Sequence, residues 1–191
     1  MVTPFDLNIR HLRGLLAIQE LGSVSAAAES LSLSQPALTQ GIVKLEKMLG
    51  QVLFERRSDG MVLNDAGHLL APRVASAMTL LSQGAKALGV GAALAERRVS
   101  MSHLRACLAV VDAGSFALAA EREGISQPAV HRAVRELEDV LQKKLIERRG
   151  RGVHVNFVGR RFARYARLAV HELNAAFSDL GIDPTDTTIT V

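Results

Sequence analysis

A chain of 191 residues with a hydrophobic share of 48% suits two small folded domains better than one, and its single cysteine, Cys107, excludes an intrachain disulfide. The net charge of +4 is unevenly held: residues 1–95 carry 8 Lys/Arg against 7 Asp/Glu, and residues 96–191 carry 15 against 12, so the second half suits the more anionic surface. No basic-then-apolar leader opens the chain, and charges break the apolar stretches short of a membrane span, so a cytoplasmic protein with no membrane partner is expected.

The order of elements repeats. Ser34-Gln35-Pro36-Ala37 returns as Ser126-Gln127-Pro128-Ala129, and the offset of 92 residues holds without a gap from His11/His103 to Gly67/Gly159. About two dozen of the 57 aligned positions are identical, among them Gly22-Ser23 with Gly114-Ser115 and Glu55-Arg56-Arg57 with Glu147-Arg148-Arg149. Two copies make a tandem pair of domains, because a solenoid needs three or more repeats.

The first element is a helix from Asn8 to Leu21, with Leu12, Leu15, Leu16 and Ile18 on its apolar face and Gly22 ending it. Ser23 caps a second helix whose small face is Ala26, Ala27, Ala28 and Leu31. Ser34 caps a third, with Pro36 in the first turn, where the missing N–H costs nothing. Leu38, Ile42, Leu45 and Leu49 form its buried stripe, leaving Gln35, Thr39, Gln40 and Lys44 on other faces. In the copy the stripe is Val130, Val134, Leu137 and Leu141, and the outward set is Gln127, His131, Arg132 and Arg135. A short helix, a tight turn and a capped helix with a polar outer face make a helix-turn-helix. Amide, hydroxyl and guanidinium groups are what base edges require. Glu46 and Glu138 lie in the same helices, but a carboxylate repels phosphate, so each is expected to make a structural hydrogen bond or ion pair. Gly41 should cost about 1 kcal/mol relative to Ala133 in the copy, and leaves room for the close approach of a backbone.

Leu53-Phe54-Glu55-Arg56-Arg57, a turn at Gly60 and Met61-Val62-Leu63 predict a β-hairpin, repeated as Leu145 to Arg149, Gly150-Arg151-Gly152 and Val153-His154-Val155. Such a wing sets Arg56, Arg57, Arg148, Arg149 and Arg151 beside a phosphate backbone. Each copy then enters a long helix capped by Asn64 or Asn156. The first shows Leu69, Leu70, Val74, Met78, Leu81, Ala85 and Leu88, the second Phe162, Tyr165, Leu168, Ala169, Leu173, Phe177 and Leu180. A small three-helix domain has little surface to bury such a rod, so it reads as a pairing element.

Taken together, Gly22-Ser23, Ala27-Ala28, Leu33-Ser34-Gln35-Pro36-Ala37, Leu45-Glu46, Leu49-Gly50, Leu53-Phe54-Glu55-Arg56 and Leu63-Asn64-Asp65-Ala66-Gly67 resemble the DNA-binding region of LysR-type transcriptional regulators. The resemblance covers residues 8 to about 95 and about 100 to 180. It implies a mainly α chain of two tandem winged helix-turn-helix domains, each followed by a linker helix, and a ligand-sensing domain of two α/β lobes further on. The expected boundaries are 1–64 and 65–95 for the first head and linker, 96–156 and 157–181 for the second, and a tail, 182–191, that starts a truncated sensing domain. Double-stranded DNA and RNA polymerase are the implied partners, with no cofactor. Family members usually carry one such head. The second copy is the less typical, with Gln142 for Gly50, Ile146 for Phe54, Phe157 for Asp65 and Glu123-Gly124 for Leu31-Ser32.

The DNA-binding set is therefore Ser34, Gln35, Pro36, Thr39, Gln40, Lys44, Arg56 and Arg57, with Ser126, Gln127, Pro128, His131, Arg132, Arg135, Arg148, Arg149 and Arg151 in the copy. Six histidines show no metal-site spacing, and no catalytic constellation appears, so an enzyme is not expected. Two readings stay open. One is a sequence-specific regulator with two DNA-reading heads. The other is an interaction module that pairs with other regulators through its linker helices without reading DNA through both heads. The linkers would bury Leu70, Val74, Met78 and Leu81 against Phe162, Tyr165, Leu168 and Leu173, either antiparallel within the chain or with a second copy.

Overall fold

The structure, a computed structural model, describes residues 2–58, 60–91, 97–149 and 152–182, without the side chains of Arg148 and Arg149. The expectations for Arg151, for those two side chains and for the tail beyond Ile182 lie outside the described residues. The fold is mainly helical and divides into two compact units. One comprises the chain up to Ala77 together with residues from His171 onward, and the other runs from Met78 to Val170.

In the first unit, helix α1 (Ile9–Leu21) is capped by Asn8, whose side chain accepts from the Arg10 N–H, and ends at Gly22 with φ +64°. Helix α2 (Val24–Ser30) starts at Ser23 and buries Ala27 and Ala28. Helix α3 (Gln35–Leu49) starts at Ser34, with Pro36 in its first turn, and buries Leu38, Ile42, Leu45 and Leu49 as the spacing predicts. Full burial of such a side chain is worth about 1.5–3 kcal/mol, which makes this stripe the main anchor of the reading helix. Strands β1 (Phe54–Arg57) and β2 (Gly60–Leu63) pair antiparallel, Phe54 opposite Leu63. The hairpin docks through the Met61 N–H, which donates to the Gly22 carbonyl at 3.0 Å.

Helix α4 (Asp65–Lys86) opens where the Asn64 side chain accepts from the Gly67 N–H at 2.9 Å. A Cβ on Gly67 would sit 2.3 Å from the Leu53 carbonyl, so only glycine lets the helix start so close to the wing. Gly159 meets the Leu145 carbonyl at the same 2.3 Å, so the repeated glycine is a packing requirement in both copies. The first linker helix ends at Lys86, short of the expected residue 95. A C-terminal turn follows, with the Val90 N–H on the Ala85 carbonyl and Gly89 left-handed at φ +74°.

The second unit repeats the plan. Helices α5 (Met101–Ala113), α6 (Phe116–Glu123) and α7 (Gln127–Leu141) precede strands β3 (Ile146–Arg149) and β4 (Gly152–Val155). Helix α8 (Phe157–Asp179) follows and reaches back into the first unit from His171. Ser100, Ser115 and Ser126 cap the three short helices. Ala106, Val110, Ala119, Ala120, Val130 and Val134 form the core of this head. Cys107 is fully buried, and burial pushes its thiol up to about 12, so it stays protonated and inert.

Each reading helix is tied to the strand that follows it by one glutamate. Glu46 Oε1 accepts from the Leu53 N–H at 2.8 Å. Glu138, 5% exposed, accepts from the Leu145 N–H at 2.8 Å and the Ile146 N–H at 3.2 Å, while its other oxygen takes Lys144 Nζ at 2.7 Å. The structural role expected for these carboxylates holds.

Contacts between the two linker helices occur inside each unit. In the first, Arg73 reaches Asp179 at 2.9 Å and Glu172 at 3.2 Å; just outside the helices, the Gln51 amide donates to the Leu180 carbonyl at 2.8 Å. In the second, Gly84 lies against Tyr165, whose Cβ is 2.9 Å from where a Gly84 Cβ would stand. Leu70, Val74, Met78, Leu81, Phe162 and Leu173 are buried and Tyr165 is half-buried. Leu168 is not: it is 43% exposed, and so is Leu69 at 48%. The buried seam of α8 runs through Phe162, Ala166, Ala169, Leu173 and Ala176, three or four residues apart, with Phe177 beside the last. Leu168 falls off that line, and alanines take several of its buried positions.

Glu138→Ala leaves two N–H groups without their acceptor and should cost about 3 kcal/mol, whereas Glu46→Ala, losing one bond at a half-buried site, should cost about 1–2. Urea unfolding followed by circular dichroism measures both, and equal losses would count against the account. Gly84→Leu should cost about 1–3 kcal/mol by overpacking against Tyr165. An unchanged urea midpoint would mean that the two helices do not meet there.

Candidate nucleic-acid interface

The reading helix of each unit presents its outer face because its inner stripe is held. In the first unit, the Ser34 hydroxyl accepts from the Ala37 N–H at 3.3 Å, which fixes the start of α3. Gln35, Pro36, Thr39, Gln40 and Lys44 are all exposed, along with Ser34 itself. Gly41, on the other side, packs under His11: a Cβ there would be 2.9 Å from the His11 ring. That close approach is to a side chain of α1 rather than to a backbone. Burial first, and then the charge of Lys44, holds the His11 imidazole below its ordinary value.

On the wing, Arg56 and Arg57 are exposed. Arg57 turns onto Glu55, its Nε donating at 3.0 Å. Exposed pairs of this kind are worth little and exchange readily for a phosphate. The hairpin therefore offers two guanidinium groups, one of them partly neutralised by its neighbour.

In the second unit Ser126 caps α7 through the Ala129 N–H at 3.3 Å. Gln127, Pro128, Arg132 and Arg135 are exposed, as their positions predict. His131 departs from the expected outward set. Its ring stacks on Phe116 with centroids 3.7 Å apart and planes 14° apart, so it is half-buried at the rim of the face. Phe116 stands where the first copy has Val24, and His131 where it has Thr39. A ring in α6 thus captures a side chain that in the first copy remains free to face outward.

The two faces differ at a second position. Lys44 corresponds to Glu136 in the copy, and the Glu136 carboxylate lies 3.3 Å from His103 Nε2. The second face thus exchanges an ammonium for a carboxylate at one position and gains Arg132 and Arg135 at two others. Val43, outside the expected outward set, is also 56% exposed, among the polar side chains of this face in the first unit. The available signal was its helical phase, which it shares with Pro36, Thr39 and Gln40.

Among the described residues no single helix is long and apolar enough to cross a membrane. No solved structure matches the chain. The HTH-type transcriptional regulator GalR of Pseudomonas putida is 31% identical over 173 residues, which is 91% of this chain and 44% of that protein, so the likeness runs through both copies. MetR of Haemophilus influenzae is 45% identical over 67 residues, covering 35% of this chain and 22% of its own. PcaQ of Agrobacterium fabrum is 39% identical over 83 residues, covering 44% and 27%. The chain spans less than half the length of these relatives. The profile described as bacterial regulatory helix-turn-helix protein, lysR family, matches residues 9–68 and again 101–160, on the two units' helix-turn-helix and wing. Matched twice over more than half its length, the chain belongs to the lysR family of bacterial regulatory helix-turn-helix proteins.

Proposed function

We propose that this chain is the DNA-reading part of a transcriptional regulator and that its two heads read two unlike half-sites of one operator. The observation that carries this is the pair of serine-capped reading helices, each with a held inner stripe and an exposed polar outer face, each followed by a wing. Family membership supports the same reading. The regulators similar to it are named as transcriptional regulators, and none of those names is an enzyme's.

The reading is sequence-specific because the faces carry groups that distinguish bases. Glutamine pairs with adenine edges and arginine with guanine edges. Gln40 in the first head corresponds to Arg132 in the second, so the second half-site is the more tolerant of G·C pairs. The linker helices, on this reading, pair within the chain and make it a pseudo-dimer. Arg73 with Glu172 and Asp179 in the first unit, and Gly84 with Tyr165 in the second, support that pairing.

A narrower role for the second head has its own support. Glu136 replaces Lys44, and His131 is stacked on Phe116, so that head has fewer free readers in the outward set. It would then position the first head without reading bases.

Duplexes selected from random-sequence DNA by the chain test all of this. Affinity should fall steeply with salt, and Arg56→Ala should reduce the salt slope by about 1 while weakening every sequence alike. Arg132→Ala should cost about 1–3 kcal/mol and relax one base pair. A uniform loss on all sequences would mean that it holds phosphate only, in favour of the narrower role. Light scattering at micromolar concentration should give the mass of one chain. A stable two-chain species, lost when Leu81 or Leu173 is made aspartate, would overturn the pseudo-dimer.

A further inference from the structure

Helix α3 carries one large aliphatic side chain that its core does not use. Leu38, Ile42, Leu45 and Leu49 are buried, whereas Val43 is 56% exposed. At about 100° per residue, Val43 projects between Thr39 and Gln40 one turn further along the helix, near the middle of the polar face. A lone exposed valine on an ordinary surface needs no explanation. This one sits among exposed Pro36, Thr39, Gln40 and Lys44, on the face that the capped helix presents. Thr39, four residues before it, adds a second methyl group on the same side. The position also differs between the copies: its equivalent, Arg135, is exposed and cationic.

The major groove offers one apolar group, the 5-methyl of thymine, and it offers guanine a pair of acceptors that suit a guanidinium. We propose that Val43 reads the 5-methyl group of a thymine in the first head's half-site, and that Arg135 reads a guanine at the equivalent place in the second. The two residues then set an A·T against G·C distinction between the half-sites at one shared position. This specificity rests on the DNA-reading function proposed above. It adds a reader that neither the polar residues nor the family pattern supplies.

The probe is the duplex that the intact chain selects from random-sequence DNA, with its thymines replaced one at a time by deoxyuridine. That change removes a methyl group and leaves base pairing intact. In the first half-site, one such replacement should weaken binding about fourfold, the worth of one buried carbon group. Val43→Ala should bind the thymine and uracil duplexes equally, at close to the wild-type affinity for the uracil form. Val43→Arg should gain a preference for G·C at that base pair, and Arg135→Val should lose one in the other half-site. Because both side chains are exposed, thermal unfolding of the variants should match that of the parent. If Val43→Ala keeps the wild-type thymine-to-uracil ratio at every position, or if the wild type ignores every replacement while still choosing its sequence, the assignment of Val43 falls and DNA reading stands. If the wild type selects no sequence at all, both fall.

Discussion

One carboxylate in each copy joins the reading helix to the wing. Glu46 and Glu138 sit on the inner side of α3 and α7 and accept the first backbone N–H groups of the segment entering the hairpin. A buried N–H without an acceptor costs about 1–3 kcal/mol, so the strand has one stable place to begin. From there the order follows. The hairpin returns to the left-handed glycine after the first helix, and Asn64 or Asn156 accepts from Gly67 or Gly159 to launch the linker. Helix, wing and linker are thus registered to one another by short polar bonds between neighbouring segments. On the proposed DNA-reading function, that registration sets groups on the helix and on the wing against the same stretch of DNA.

Small residues do the corresponding work along the linkers. Ala77, Gly84 and Ala85 on one helix, and Ala163, Ala166 and Ala176 on the other, are fully buried. A residue that short leaves room for a neighbour, as Gly84 does for Tyr165 in the second unit. Phe162, Phe177 and Leu70 are buried large side chains on the same helices. Charge then fixes direction in the first unit, where Arg73 spans two carboxylates a little under two turns apart, Glu172 and Asp179. An arginine fork is well suited to holding two acceptors at once.

Local order was legible in the sequence wherever a residue type has one strong backbone preference. The serine caps, the prolines in the first turns, the glycines ending α1 and α5, and the spacing-four and spacing-three stripes all stand where the sequence put them. The fold followed from these and from the repeat. Leucine is a poor guide to the core of these linkers. Leu69 and Leu168 are exposed, and the seam runs through alanines that a hydrophobicity scan weights lightly. The side contacts of the reading faces were also beyond reach. Whether His131 faces outward depends on Phe116, which is fifteen residues away and becomes a neighbour only when α6 folds against α7.

The pattern of differences between the copies carries physical information of its own. Buried positions change conservatively: Leu38 to Val130, Ile42 to Val134, and Leu45 to Leu137, because a packed core tolerates little change in shape. On the outer face the chemistry changes outright: Thr39 to His131, Gln40 to Arg132, Val43 to Arg135 and Lys44 to Glu136. Four changes concentrated on one face within six residues are not the signature of a helix drifting free of constraint, since the cap, the proline and the tethering glutamate on the same helix are unchanged. In a symmetric dimer of identical chains one sequence must serve both half-sites. Two copies in one chain lift that restriction, so each face can be fitted to its own target while the frame that presents it stays the same.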